Sequence, residues 1–139
     1  MPSELYAPVA FDRFVRTGDY IWISGQVPRI DGQVRCTGRV GDTVTIETAQ
    51  AAARLCAANL LLILGEACGG DLDKVKRAVR ITGYVRCTDT FSEQPSVIDA
   101  ASSVLLHVLG DRGHHARTAI GVFSLPGQAA VEIEGVFLA

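Results

Sequence analysis

The chain has 139 residues, enough for about one domain that buries a core without disulfides or metals. With 48% hydrophobic and 20% charged residues it is not a disordered chain. A net charge of −2 gives no basic footprint, so neither nucleic acid nor an anionic membrane is an expected partner.

The opening MPSELYAPVA lacks a charged stretch followed by a long apolar run, which argues against a signal peptide. The longest apolar run, Leu60 to Leu64, is far short of the ~20 residues that span a bilayer. The expected location is cytoplasmic. Cys36, Cys56, Cys68 and Cys87 form no CxxC, and two lie in a helical stretch, so they read as reduced thiols packed like small hydrophobes.

Phe14 to Arg16 and Tyr20 to Ser24 (YIWIS) flank Thr17-Gly18-Asp19, and their β-branched and aromatic residues predict a hairpin. Asp31-Gly32 marks a turn. From about Thr45 to Cys68 the chain is rich in Ala, Leu, Glu and Gln, with no Pro and no Gly before Gly65. That predicts a helix of some six turns, capped by Asp42, Thr43 or Thr45 and stopped near Gly69.

Val75 to Cys87 alternates as a long strand, with Val75, Val79, Ile81, Gly83, Val85 and Cys87 on one face, broken only by Arg77. Ala78, Arg80, Thr82, Tyr84 and Arg86 fall on the other. A second helix follows from about Pro95 to Leu109, with Pro95 in its first turn and Gly110 closing it. Val97, Ala101, Val104, Leu105 and Val108 form its inward stripe, and His107 its exposed side.

Strands from Arg117 to Phe123 and from Ala130 to Leu138 flank Pro126-Gly127 and read as a hairpin. Centred on that turn, Gly121 pairs with Glu132, which puts Arg117 on Glu132's face roughly 13 Å away. A one-residue slip would put the two on opposite faces, and a site would then need parts from neighbouring subunits.

The order is β-β-α-β-α-β-β in one domain, residues 1–139, an α+β layer with two helices on one face of a mainly antiparallel sheet. The first helix is apolar nearly all round from Leu55 to Leu64, and the second sheet face keeps Ile, Val and Tyr side chains. Other copies of the chain are the simplest cover, so a closed homo-oligomer is expected.

Several polar residues carry possible chemistry. The Arg117 guanidinium is a planar fork suited to a carboxylate, or to an ion pair with a nearby acid. Glu132 and Glu134 in AAVEIEGVF share one face among apolar residues, so one is a candidate proton-transfer group with its pKa set by burial, the other structural. Ser24 lacks a spaced His–Asp set and reads as a donor or turn residue beside Gly25, where backbone can approach a ligand. Adjacent His114 and His115 point apart and have no third ligand, so no metal is expected. Asp99 reads as a charge near the start of the second helix.

Ser24-Gly25-Gln26-Val27-Pro28, Gly70-Asp71-Leu72-Asp73-Lys74-Val75, Ala116-Arg117, Leu125-Pro126 and Val131-Glu132-Ile133-Glu134-Gly135-Val136 follow one another in this order across nearly the whole chain. The ordered set resembles the RidA/YjgF family. The resemblance implies a chorismate-mutase-like fold, a homotrimer whose sheets line a central barrel, and ligand clefts between subunits. It also implies cofactor-independent hydrolysis of enamines and imines, such as 2-aminoacrylate, to 2-keto acids and ammonia. Arg117 matches the family's carboxylate-binding arginine, Glu132 its water-orienting glutamate, and Ser24 and Gly25 its cleft-lining loop. Phe11 stands where many members carry a tyrosine, and Ala119 where they carry a cysteine, which makes this pocket less polar. A non-catalytic trimer that binds a small carboxylate is the alternative. Ribonuclease activity, sometimes attached to the family, sits poorly with the acidic balance and 6% aromatic content.

Overall fold

In the computed structural model, which describes residues 9–139, β1 (Phe14–Thr17) and β2 (Tyr20–Gln26) form the expected hairpin about Gly18. Most of the segment read for a leader lies outside the described residues. Asp31 and Gly32, at φ 51° and 77°, close a second hairpin of two-residue strands, β3 (Arg29–Ile30) and β4 (Gln33–Val34). Both central residues in the left-handed region match the turn that suits strand twist, so a stretch marked only as a turn also forms a small ladder.

Helix α1 (Ile46–Ala67) starts at Thr45, whose side chain accepts the Thr48 N–H at 3.2 Å. By length and composition α1 could cross a membrane, yet Ala49, Ala53, Cys56, Leu60 and Leu64 are buried against the sheet and the second helix. It is the core helix. Burying each of Leu60, Leu61, Ile63 and Leu64 contributes roughly 1.5–3 kcal/mol, whereas Leu62 stays exposed.

The chain continues through β5 (Arg77–Arg86), α2 (Gln94–Leu109), β6 (Ala116–Val122) and β7 (Val131–Leu138). Pro95 falls in the first turn of α2, and Gly110 at φ 61° ends it. The buried stripe runs Val97, Ala101, Leu105, Leu109, whereas Val108 is 43% exposed and does not face inward. His107 is exposed. Cys36, Cys56 and Cys68 are buried and Cys87 half-buried, all as free thiols.

The five-stranded sheet runs β1-β2-β7-β5-β6, and here two expectations fail. β6 and β7 are not a hairpin. β6 lies at the edge, parallel to β5, while β7 sits centrally between β2 and β5 and antiparallel to both. The cause is α2: a helix between two strands carries the second back parallel to the first, and the Pro126–Gln128 turn then steps across the end of β5. Glu132 therefore pairs with Tyr84, and Gly121 with Val85.

The second correction is local. A register shift between Ala78 and Arg80 bulges β5, so Ala78 is buried and Val79 only partly so; beyond the bulge Ile81, Gly83 and Val85 face inward as expected. Both helices cover the face made by Ile21, Ile23, Ile81, Val85, Val131, Ile133 and Phe137. α2 packs so closely that a Cβ at Gly83 would lie 2.4 Å from Ile98 Cδ1. The opposite face is open in the single chain, with Val15, Tyr20, Trp22 and Ile120 exposed.

Candidate functional site

Along β7 the odd residues Val131, Ile133, Gly135 and Phe137 are buried, which turns Glu132 and Glu134 together onto the open face. Beside them β2 bulges between Ile23 and Gln26 and swings Ser24-Gly25 over Glu132. The approach is close: a Cβ on Gly25 would stand 3.1 Å from Glu132 Cδ, so glycine is what lets the carboxyl lie there. A cavity of about 370 Å³ opens at this point, lined by Phe11, Ser24, Gly25, Glu132 and the cationic Arg13 and Arg29.

Burial is the main force raising the Glu132 pKa above its usual value, with the Glu134 charge adding to it. Glu134 is itself engaged, accepting a hydrogen bond from the Tyr84 hydroxyl. That bond leads the causes that push Tyr84 up to about 12; burial and the two glutamate charges follow. Ser24 is less available than its position implies. Its hydroxyl donates to the Asp12 carbonyl at 2.7 Å, leaving only its lone pairs toward the cavity.

Arg117 lies elsewhere. In β6 it is the register partner of Ile81, so its side chain is on the helix-covered face, under α2. Nη1 donates to Asp99 Oδ1 at 2.8 Å and to Ser102 Oγ at 3.2 Å. Ala119, partner of Gly83, packs against the core on that same face. The six residues read as one site thus divide: Phe11, Ser24, Gly25 and Glu132 surround the cavity, whereas Arg117 and Ala119 lie across the sheet. Within one chain Arg117 and Glu132 do not share a face, which corrects the hairpin geometry.

Sequence reasoning missed the supports of Arg117. His115 Nδ1 is 2.6 Å from the Gly113 carbonyl, an acceptor, so Nδ1 carries the proton in the neutral ring. Nε2 then accepts the Ser102 hydroxyl at 2.9 Å, and Ser102 turns a lone pair to Arg117. The signal was faint but present: Asp99 and Ser102 are three apart on α2, and His115 and Arg117 two apart before and in β6. Among the described residues no group of three His, Cys, Asp or Glu side chains could hold a metal ion.

This mostly antiparallel sheet under two helices is a chorismate-mutase-like architecture. Residues 2–132 match the family described as "YjgF/chorismate mutase-like, putative endoribonuclease", and the chain belongs to that family. Protein TCP17 of Trypanosoma cruzi is 37% identical over 137 residues, which cover 98% of this chain and 85% of the relative. The crystal structure of the protein Atu1372 from Agrobacterium tumefaciens aligns at 41% identity and TM-score 0.92, covering 94% of this chain and 84% of that one. RidA from an Antarctic Psychrobacter bacterium aligns at 25% identity and TM-score 0.62, covering 96% and 94%. The family and fold expected from the ordered motifs are therefore correct.

Proposed function

We propose that the protein hydrolyses small 2-imino acids, and the enamines that tautomerise to them, to 2-keto acids and ammonia in sites shared between neighbouring copies. The observation that carries this reading is the division of the two chemical groups. Each chain holds a half-buried Glu132 with a raised pKa in a cavity on one face, and an Arg117 fork on the other. A closed ring of copies, which we take to be a homotrimer, would bring the Arg117 of one chain to the Glu132 of the next. The apolar groups left exposed on the open face, Trp22 at 52% among them, support such cover.

In this scheme Arg117 pairs with the substrate carboxylate and fixes the imine carbon near Glu132. Glu132 accepts a proton from water as the water oxygen bonds to that carbon. Glu132 passes that proton to the nitrogen, which completes the carbinolamine; the carbinolamine's hydroxyl proton then moves to the nitrogen as the carbon–nitrogen bond breaks, so ammonia leaves and the carbonyl forms. A pKa raised by burial makes Glu132 a stronger base than an ordinary carboxylate. Orientation supplies the rest, since imines are intrinsically reactive, and the scheme uses no cofactor.

Phe11 and Ala119, both apolar, favour a second reading, a small-carboxylate binder without turnover. Ammonia and keto-acid release from enzymatically generated 2-iminopropanoate and 2-iminobutanoate separates the two. The deaminase requires rates above buffer; thermal stabilisation by 2-oxobutanoate with no such rates selects the binder.

A further inference from the structure

The Glu132 cavity holds more positive charge than the hydrolytic scheme uses. Arg13 and Arg29 line it together with Phe11, Val27, Pro126 and Glu132. Neither arginine is paired with Glu132: burial raises its pKa first, and the charge acting on its carboxyl is that of Glu134. An arginine within about 4–6 Å would pull the other way, so both guanidinium groups stand further off. The cavity therefore has a carboxyl end and a cationic end, with apolar side chains in the wall.

The two cations differ in how free they are. Arg13 Nη1 is paired with Glu66 Oε2 at 3.0 Å. Arg29 is exposed, and among the described residues its guanidinium has no partner. Its backbone is held all the same. Asn59 Nδ2, on α1, donates to the Val27 carbonyl at 3.3 Å and to the Arg29 carbonyl at 3.1 Å. A guanidinium with every donor free thus stands on a fixed root at the cavity, and such a planar fork matches a carboxylate.

We propose that Arg29 is a specificity-determining residue that binds a second, terminal carboxylate, so that the preferred substrate is a 2-imino dicarboxylic acid. The proposal rests on the reading of Glu132 as the group that activates water at the imine carbon. The methylenes between the reacting carbon and the second carboxylate lie against Phe11, Val27 and Pro126, whose side chains offer no hydrogen bond. In this arrangement the apolar Phe11 suits the middle of the substrate.

2-Oxoglutarate and 2-oxohexanoate are stable keto acids of equal chain length, one ending in a carboxylate and the other in a methyl. Both are titrated by NMR into wild type, Arg29→Gln and Arg35→Gln. Arg35 is exposed and does not line the cavity, so its variant removes the same charge elsewhere. Wild type should bind 2-oxoglutarate more tightly. Arg29→Gln should cut that preference about five-fold, the upper scale of one exposed charge pair, and Arg35→Gln should leave it in place. Equal loss in the two variants would overturn the proposal, because net charge alone would then set the preference. Equal weakening of both ligands by Arg29→Gln would overturn it too, since Arg29 would then hold the carboxylate they share. A wild type with no preference, or one that binds neither acid, also overturns it. Turnover judges the parent reading separately: 2-iminoglutarate and 2-iminobutanoate hydrolysed no faster than in buffer would sink the deaminase, whatever Arg29 binds.

Discussion

Two inactive variants should restore one another. Arg117→Ala removes the carboxylate fork and Glu132→Gln the proton acceptor, and each alone should lower keto-acid release about 10²-fold or more. Arg117 is under α2 and Glu132 on the open face of the same sheet, so in the proposed scheme a complete site would take one residue from each of two copies. Co-expressed in equal amounts and assembled at random, each site has one chance in two of an intact arginine and one in two of an intact glutamate. About one site in four should then be wild type. The assay is keto-acid release per chain by the co-purified, differently tagged variants, beside each variant alone. Activity no higher than the mean of the two variants would refute the shared site.

Gly25→Ala should leave the fold within about 1 kcal/mol of wild type, because the new Cβ meets only the mobile end of Glu132, at 3.1 Å. The displaced carboxyl should lower kcat about ten-fold, measured by keto-acid release. Gly83→Ala is the converse, a stability change. A Cβ 2.4 Å from Ile98 Cδ1 should cost about 1–3 kcal/mol, some 3 °C of Tm per kcal/mol, and Ile98→Val should recover part of it in a thermal melt. Glu134→Gln should move Tyr84 from about 12 down toward its ordinary 10.0, read by ultraviolet difference spectra. It should also move the acid limb of activity downward, because the Glu134 charge helps hold the Glu132 pKa up. Tyr84 binds its proton more tightly folded than unfolded. Its stabilisation is complete below pH 10 and is lost as pH rises from there to about 12, and Tyr84→Phe should remove that loss from alkaline melts.

What the sequence made legible was local. Period two turned Glu132 and Glu134 onto one face whatever strand lay beside them, and the caps at Thr45 and Gly110 bounded both helices. Strand neighbours were not legible, because Pro126-Gly127 looks the same whether the chain doubles back beside β6 or steps over β5. Only the presence of α2 between β5 and β6 distinguishes the two, through the parallel pairing it imposes. That one choice moved Arg117 across the sheet from Glu132. Ser102 was passed over, and Asp99 and His115 were read only as a helix-start charge and a lone ring, for the same reason: each is ordinary on its own element, and only the packing of α2 on β6 gathers them round Arg117. The small bulges at Val79 and at Ser24-Gly25 left no pattern in the hydrophobic alternation strong enough to read.

The most direct test is a crystal structure with 2-oxobutanoate, the product of the proposed reaction on 2-iminobutanoate. The ligand carboxylate should lie about 3 Å from Nε and Nη2 of Arg117 in one copy, and its carbonyl should face Glu132 of the adjoining copy. A ligand held by one chain alone, or one that touches Glu132 without reaching any Arg117, would contradict the account.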